Sequence, residues 1–160
     1  NPLVKIVPMG LGSFIGKMDM NINTVTPVLS TFADHWKTGR FADSNWEEKI
    51  TINITTLDEL IKKFGLPNYI KIDVEGFEYE VLKGLSKKVG IISFEFTSEF
   101  FKDSEKCINY LISLGYEKFN FSLGEKKKFD LEWSNSEIII NKLKNYIESD
   151  NLLWGDIYAM

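Results

Sequence analysis

Apolar residues recur along this chain at two spacings, every second position and every third to fourth, and the switches between them mark out its elements. Leu3, Val4, Ile6 and Val7, ended by Pro8, predict a strand at 3–7. Gly10, Gly12 and Gly16 follow, and then Met18, Met20 and Ile22 alternate with polar partners, so the glycines read as a turn between two strands. Ile50, Ile52 and Ile54 alternate with Thr51, Asn53 and Thr55, which predicts a half-buried strand able to pair with 18–22 as an antiparallel hairpin. The connection at 24–48 is irregular but carries Phe32, Trp36, Phe41 and Trp46. Aromatics at that density need burial or a ligand. Two readings fit: a lid or substrate wall, or a loop with a short helix around 30–37 pinned by aromatic anchors.

The second half is more regular. Thr56 and Glu59 form a capping box ahead of Leu57, Leu60, Ile61 and Phe64 at helical spacing, and Gly65 and Pro67 end that helix. A strand at 69–74 puts Ile70, Ile72 and Val74 on one face and Tyr69, Lys71, Asp73 and Glu75 on the other, and a helix at 77–83 follows. Further strands are expected at 91–96, 116–121 and 156–160, with helices at 104–114 and from Asn135 or Ser136 to Ile147. Helices alternating with strands predict one α/β domain over the whole chain, in which 18–54 is an inserted hairpin with a long loop.

Composition narrows the function. A chain of 160 residues, 44% hydrophobic and 26% charged, is an ordinary globular domain. A net charge of −4 argues against a nucleic-acid platform, and the run Lys126-Lys127-Lys128 reads as a solvated loop tip. Cys107 is the sole cysteine, so neither an internal disulfide nor a thiolate zinc site is available. No apolar run reaches the roughly 20 residues of a membrane span, and no signal peptide is visible, so the expectation is a cytoplasmic protein without membrane partners. His35 is the only histidine and has no glycine-flanked serine to serve, which excludes a serine-hydrolase reading.

The candidate chemistry lies in Asp73-Val74-Glu75-Gly76-Phe77-Glu78, at the carboxyl end of a strand, where open α/β sheets bind ligands. Asp73 reads either as a general base or as a cap on the turn through the amides of Gly76 and Phe77. Glu78 reads as a base or as a charge stabilised by its helix N-terminus. Glu95, at the end of the next strand, either joins them or pairs with Lys71. Grouped carboxylates also suit Mg²⁺, but raised pKa values or lysines relieve the same repulsion, and no metal is assigned.

With these residues in place the sequence resembles the FkbM family of S-adenosylmethionine-dependent methyltransferases. The likeness rests on Thr56-Leu57-Asp58-Glu59-Leu60, on Ile70-Lys71-Ile72-Asp73-Val74-Glu75-Gly76-Phe77-Glu78, on Val81-Leu82-Lys83-Gly84, and on the Phe94-Glu95 and Asp156-to-Ala159 strands. It implies S-adenosylmethionine as cofactor and a hydroxyl of a small molecule or sugar as acceptor. Asp73, Glu75 and Glu78 would be catalytic, Asp73 would also face the cofactor, and His35, Trp36 and Glu95 would line the substrate side. The implied fold is an incomplete Rossmann-like sheet with helices on both faces, an antiparallel last strand and a β-hairpin insertion before the central strand. In the family order 3-2-1-4-5-7-6, strand 3–7 would be the third and 69–74 the fourth. Nothing here matches the upstream first strand and its glycine-rich cofactor loop, and Gly10, Gly12 and Gly16 fall too late to stand in for it. The alternative is therefore a truncated, non-catalytic binding or assembly module. Either form leaves strand 69–74 with a bare edge, to be covered by local re-pairing of 3–7 or by a second copy in a homo-oligomer.

Overall fold

The computed structural model describes residues 3–126, 128, 129 and 131–160, so Lys127 in the basic run lies outside the described residues. Two sheets carry the fold. The first comprises β1 (Gly10–Leu11), β2 (Gly16–Ile22) and β3 (Glu48–Thr55), in the order β1-β3-β2. β2 and β3 are the expected antiparallel hairpin, with Met18 opposite Ile52 and Met20 opposite Ile50. α1 (Leu57–Phe64) leads into the second sheet, formed by β4 (Tyr69–Ile72), β5 (Ile91–Thr97), β6 (Phe119–Leu123) and β7 (Trp154–Ala159) in the order β4-β5-β7-β6. β4 and β5 are parallel, and β7 runs antiparallel to both of its neighbours. The remaining helices are α2 (Glu78–Lys83), α3 (Phe101–Ser113) and α4 (Ser136–Ser149). Among the described residues no helix is long and apolar enough to cross a membrane.

Several boundaries follow from local chemistry. Thr56 Oγ1 accepts from Glu59 N–H at 3.2 Å, the predicted cap of α1. Asn135 Oδ1 accepts from Ile138 N–H at 3.0 Å at the start of α4. The strand expected at 116–121 begins later, at Phe119, because Tyr116 turns into the core and its hydroxyl donates to Gly90 O at 3.1 Å.

The expected strand at 3–7 does not form. Leu3, Val4 and Ile6 are exposed, and the edge of β3 is taken instead by Gly10 and Leu11, paired with Ile54 and Thr55. An apolar, β-branched run suits a strand but does not supply its ladder, and the close approach here selects glycine. A Cβ on Gly10 would stand 2.7 Å from Ile54 Cδ1 and 2.9 Å from Phe32 Cζ. Residues 3–7 therefore serve neither as a third strand nor as a local cover for β4, whose outer edge is unpaired among the described residues.

The sequence pattern predicts helices on both faces of the main sheet, but the structure places α2, α3 and α4 on one. That face carries Ile92, Phe94, Phe96, Phe121 and Ile157, all buried. Phe96 meets Phe101 of α3 edge-on and Phe121 meets Tyr146 of α4, while α2 packs on α3. The opposite face is polar, which is why no apolar helix packs there. Tyr69 bonds Ser93 at 2.6 Å and Lys71 Nζ donates to Asp156 Oδ1 at 2.7 Å across the strands. Ser93, Glu95 and Thr97 share that face of β5 by alternation, which brings the candidate chemistry to its carboxyl end.

The connection between β2 and β3 is a pinned loop of three short 3₁₀ turns, at Pro27–Leu29, Asp34–Lys37 and Gly39–Phe41. Trp36 is buried and stacks on Phe41 with centroids 4.9 Å apart, and Trp46 Nε1–H donates to Phe41 O at 3.0 Å. Arg40 forms a two-pronged pair with Glu99, tying the loop to the segment before α3.

Candidate active site

β4 ends at Ile72, two residues earlier than its alternation predicts, because Glu78 draws the chain into a turn. Glu78 Oε1 accepts from Val74 N–H at 3.2 Å and Gly76 N–H at 3.3 Å, so Val74 is taken out of the ladder. The turn passes through two left-handed residues, Glu75 at φ 54 and Gly76 at φ 86. That conformation is uncommon for a side-chain-bearing residue. Thr31 steadies it from the loop, its hydroxyl donating to Glu75 O at 2.6 Å. Trp36 closes over the turn so tightly that a Cβ on Gly76 would lie 2.8 Å from its Cε3.

The turn aims Asp73 and Glu75 at Glu95 of β5, and one oxygen from each lies within 4.8 Å of the others. Asp73 is exposed and the other two are half-buried. Burial, with the charges of Asp73 and Glu78 beside it, pushes the Glu75 carboxyl up to about 7. Burial together with Glu75, Asp73, Glu78 and Asp156 pushes Glu95 to about 8. Near neutral pH Glu75 and Glu95 therefore exchange protons with the solvent. Lys71 is 3.4 Å from Asp73 Oδ2 and 2.7 Å from Asp156 Oδ1. Half-burial works to lower its pKa, but those two carboxylates outweigh it and keep it above the ordinary lysine value.

These contacts resolve the alternatives left open by the sequence. Lys71 pairs with Asp156 and Asp73, so Glu95 joins the carboxylates. The Gly76 amide belongs to Glu78, and Asp73 accepts from neither Gly76 nor Phe77, so it is not their cap. Glu78 itself is 8% exposed, and burial raises it to about 7 despite its two backbone bonds. Its position beneath the turn gives it a holding task.

Three hollows surround the cluster. A largely apolar cleft of about 520 Å³ runs from Met9, Leu11 and Phe32 to Asp73 and Glu75. A second, of about 190 Å³, lies between Trp36, Phe41, Glu75, Glu95, Thr97 and Trp154. Behind it, Trp36, Glu78, Glu95, Thr97 and His35 enclose about 20 Å³, room for one water. Glu75 faces both of the larger clefts. Of the expected substrate residues, Trp36 and Glu95 line the second cleft together. His35 stands at the inner hollow, 3.4 Å from Asp103 and edge-on to Phe100.

Thr31, Thr97 and Trp154 are site residues that the sequence reading missed. Extending the alternation of β5 by one residue would find Thr97, which follows Glu95 on the same face. Trp154 lies opposite Thr97 across β5 and β7, and Thr31 carries no sequence signal. No curated protein and no solved structure matches this chain. The model of the methyltransferase FkbM domain does match, over residues 3–118 of the 160-residue chain and so through the whole Asp73–Glu95 region. A methyltransferase motif is thus joined to a strand-end cluster of carboxylates in which burial raises Glu75 and Glu95, and the chain belongs to the FkbM methyltransferase family.

Proposed function

We propose that this protein moves a methyl group from S-adenosylmethionine to a hydroxyl of a small molecule or sugar, with a cluster carboxylate as general base. The observation that carries the reading is the position of Glu75 between two clefts, with Asp73 on one side and Glu95 on the other.

The larger cleft suits the cofactor in its chemistry. Its volume falls in the range of small-molecule sites. Its apolar wall ends in the carboxylates of Asp73 and Glu75, which favour a cationic group over an anionic one. S-adenosylmethionine supplies an electrophilic methyl carbon next to a positively charged sulfur. Asp73 and Glu75 would hold that charge, and Met9, Leu11 and Phe32 would exclude water from it.

The second cleft would take the acceptor. An ionised Glu75 or Glu95 would accept a hydrogen bond from the acceptor hydroxyl and take up its proton, readying that oxygen for the methyl carbon that the cofactor would supply. Carboxyls at about 7 and about 8 are matched to that task, which contributes roughly 10²–10⁴-fold. Glu78 keeps the turn in shape from below, and Lys71 offsets the charge of Asp73. Isothermal titration of the full-length protein with S-adenosylmethionine, followed by a methyl-transfer assay against alcohols and sugars, tests the reading. Binding heat with transfer supports it, and the absence of both overturns it.

A further inference from the structure

Two residues that line the second cleft, Trp36 and Thr97, each carry a buried polar atom, Nε1 and Oγ1, without a hydrogen-bond partner among the described residues. The two residues are 3% and 6% exposed. A buried polar group left unbonded costs about 1–3 kcal/mol, and nearly all such groups find a partner. Nearby residues show the usual outcome. Trp46 Nε1–H has Phe41 O, and the equally buried Thr31 hydroxyl donates to Glu75 O and accepts from Ala33 N–H. The two orphans come from different elements, the loop and the end of β5, yet both residues line the inner hollow and the cleft that Glu75 and Glu95 share.

The chemistry of the four groups defines what fits between them. An indole N–H only donates, so it needs an acceptor oxygen. Ionised carboxylates only accept, so they need donors. A threonine hydroxyl does either. Hydroxyl groups satisfy all of them at once. The remaining walls are apolar, with Phe41 stacked on Trp36 and Trp154 beyond, and the guanidinium of Arg40 is neutralised by Glu99. Nothing there favours an anion.

We propose that Trp36 Nε1 and Thr97 Oγ1 form a specificity pair that binds a second oxygen of the acceptor, next to the hydroxyl facing Glu75 and Glu95. The pair selects neutral vicinal diols over monoalcohols. The naming of the ligand as acceptor rests on the proposed function, but the contact is a binding event that needs no methyl transfer. Both atoms are enclosed in this arrangement, so binding the oxygen would require the loop bearing Trp36 to draw back.

The test uses full-length protein with its indole nitrogens isotope-labelled, the Trp36 signal being identified by its loss in Trp36→Phe. Myo-inositol is titrated as the vicinal-diol probe and cyclohexanol as the monoalcohol. The Trp36 N–H signal should shift with myo-inositol and stay in place with cyclohexanol. Thr97→Val, which keeps the shape and loses the hydroxyl, should weaken myo-inositol binding about tenfold, the loss of one hydrogen bond. Thr97→Ser should restore it. Unmoved indole signals of Trp46 and Trp133 in Thr97→Val serve as the folding control, Trp154 being left out because it lies opposite Thr97. A Trp36 signal indifferent to myo-inositol, equal shifts with both probes, or unchanged binding in Thr97→Val would each overturn the proposal. A parallel methyl-transfer assay separates the two readings. A responsive Trp36 without transfer keeps the subsite and removes the methyltransferase activity. Transfer that is equally efficient to cyclohexanol and myo-inositol does the reverse.

Discussion

Replacing Glu78 by Gln separates the two tasks of a buried carboxyl. The amide keeps an oxygen for the N–H groups of Val74 and Gly76 and loses the ionisable proton. In the native protein Glu78 is 8% exposed with a pKa of about 7, against an ordinary 4.5. Holding such a group ionised costs about 3 kcal/mol of stability, at about 1.4 kcal/mol per tenfold change in proton affinity. The folded state binds the proton more tightly than the unfolded chain does. Stability therefore falls as pH rises from the ordinary value to the folded value, and it levels off above. Glu78→Gln should match the native protein near about pH 5 and exceed it by up to about 3 kcal/mol near about pH 9. Urea unfolding followed by tryptophan fluorescence measures both. Glu75 and Glu95 add slopes of the same sign to both proteins, smaller in Glu78→Gln because the Glu78 charge helps raise them, so the difference between the curves reports Glu78 together with its coupling to them. Glu78→Ala supplies the contrast, because it leaves two turn amides without their acceptor and should cost about 2 kcal/mol even at acid pH. Parallel native and Gln curves across that range, or a gap that widens toward acid, would refute the assignment of a buried, proton-holding Glu78.

Gly76→Ala should lower stability by about 2 kcal/mol or more, because it puts a side chain at φ 86 against Trp36. Gly39→Ala, at φ 61 with nothing within 4 Å, should cost less in the same thermal melts. Thr56→Ala removes the cap of α1 and should cost about 1 kcal/mol in urea unfolding, with Thr56→Ser near native. The kcat/KM for methyl transfer should rise as pH passes through about 7 to about 8, where Glu75 and Glu95 ionise. A flat or falling profile would remove both from the role of base.

The elements that could be read from sequence are those whose signals are local. The capping box at Thr56, the stop at Gly65 and the alternation of Ile50, Ile52 and Ile54 each rest on residues a few positions apart, and each stands in the structure. The stretch at 3–7 is as apolar and β-branched as a strand and fails, because a strand also needs a free ladder to join. That depends on Ile54, Phe32 and Gly10 meeting across more than forty residues of chain. The candidate site divides in the same way. Asp73, Glu75 and Glu78 are conspicuous in a single turn of sequence, but their separate tasks are not. Which carboxylate holds the turn, and which face the clefts, is settled by a left-handed residue at Glu75 and by the loop that bonds it through Thr31.

The sequence by itself determined that this is an α/β chain with a β-hairpin in its first half and a cluster of acids at a strand end, and that its motif is that of the FkbM methyltransferases. Those properties reside in spacing and residue type. Only the tertiary structure decided that Glu95 joins Asp73 and Glu75 while Lys71 turns to Asp156, and that burial raises the carboxyls of Glu75 and Glu95. It also decided that Trp36 and Thr97 meet with their polar atoms unbonded. Proton affinity and hydrogen-bond satisfaction depend on burial and on neighbours distant in sequence, and those exist only once the chain has closed on itself.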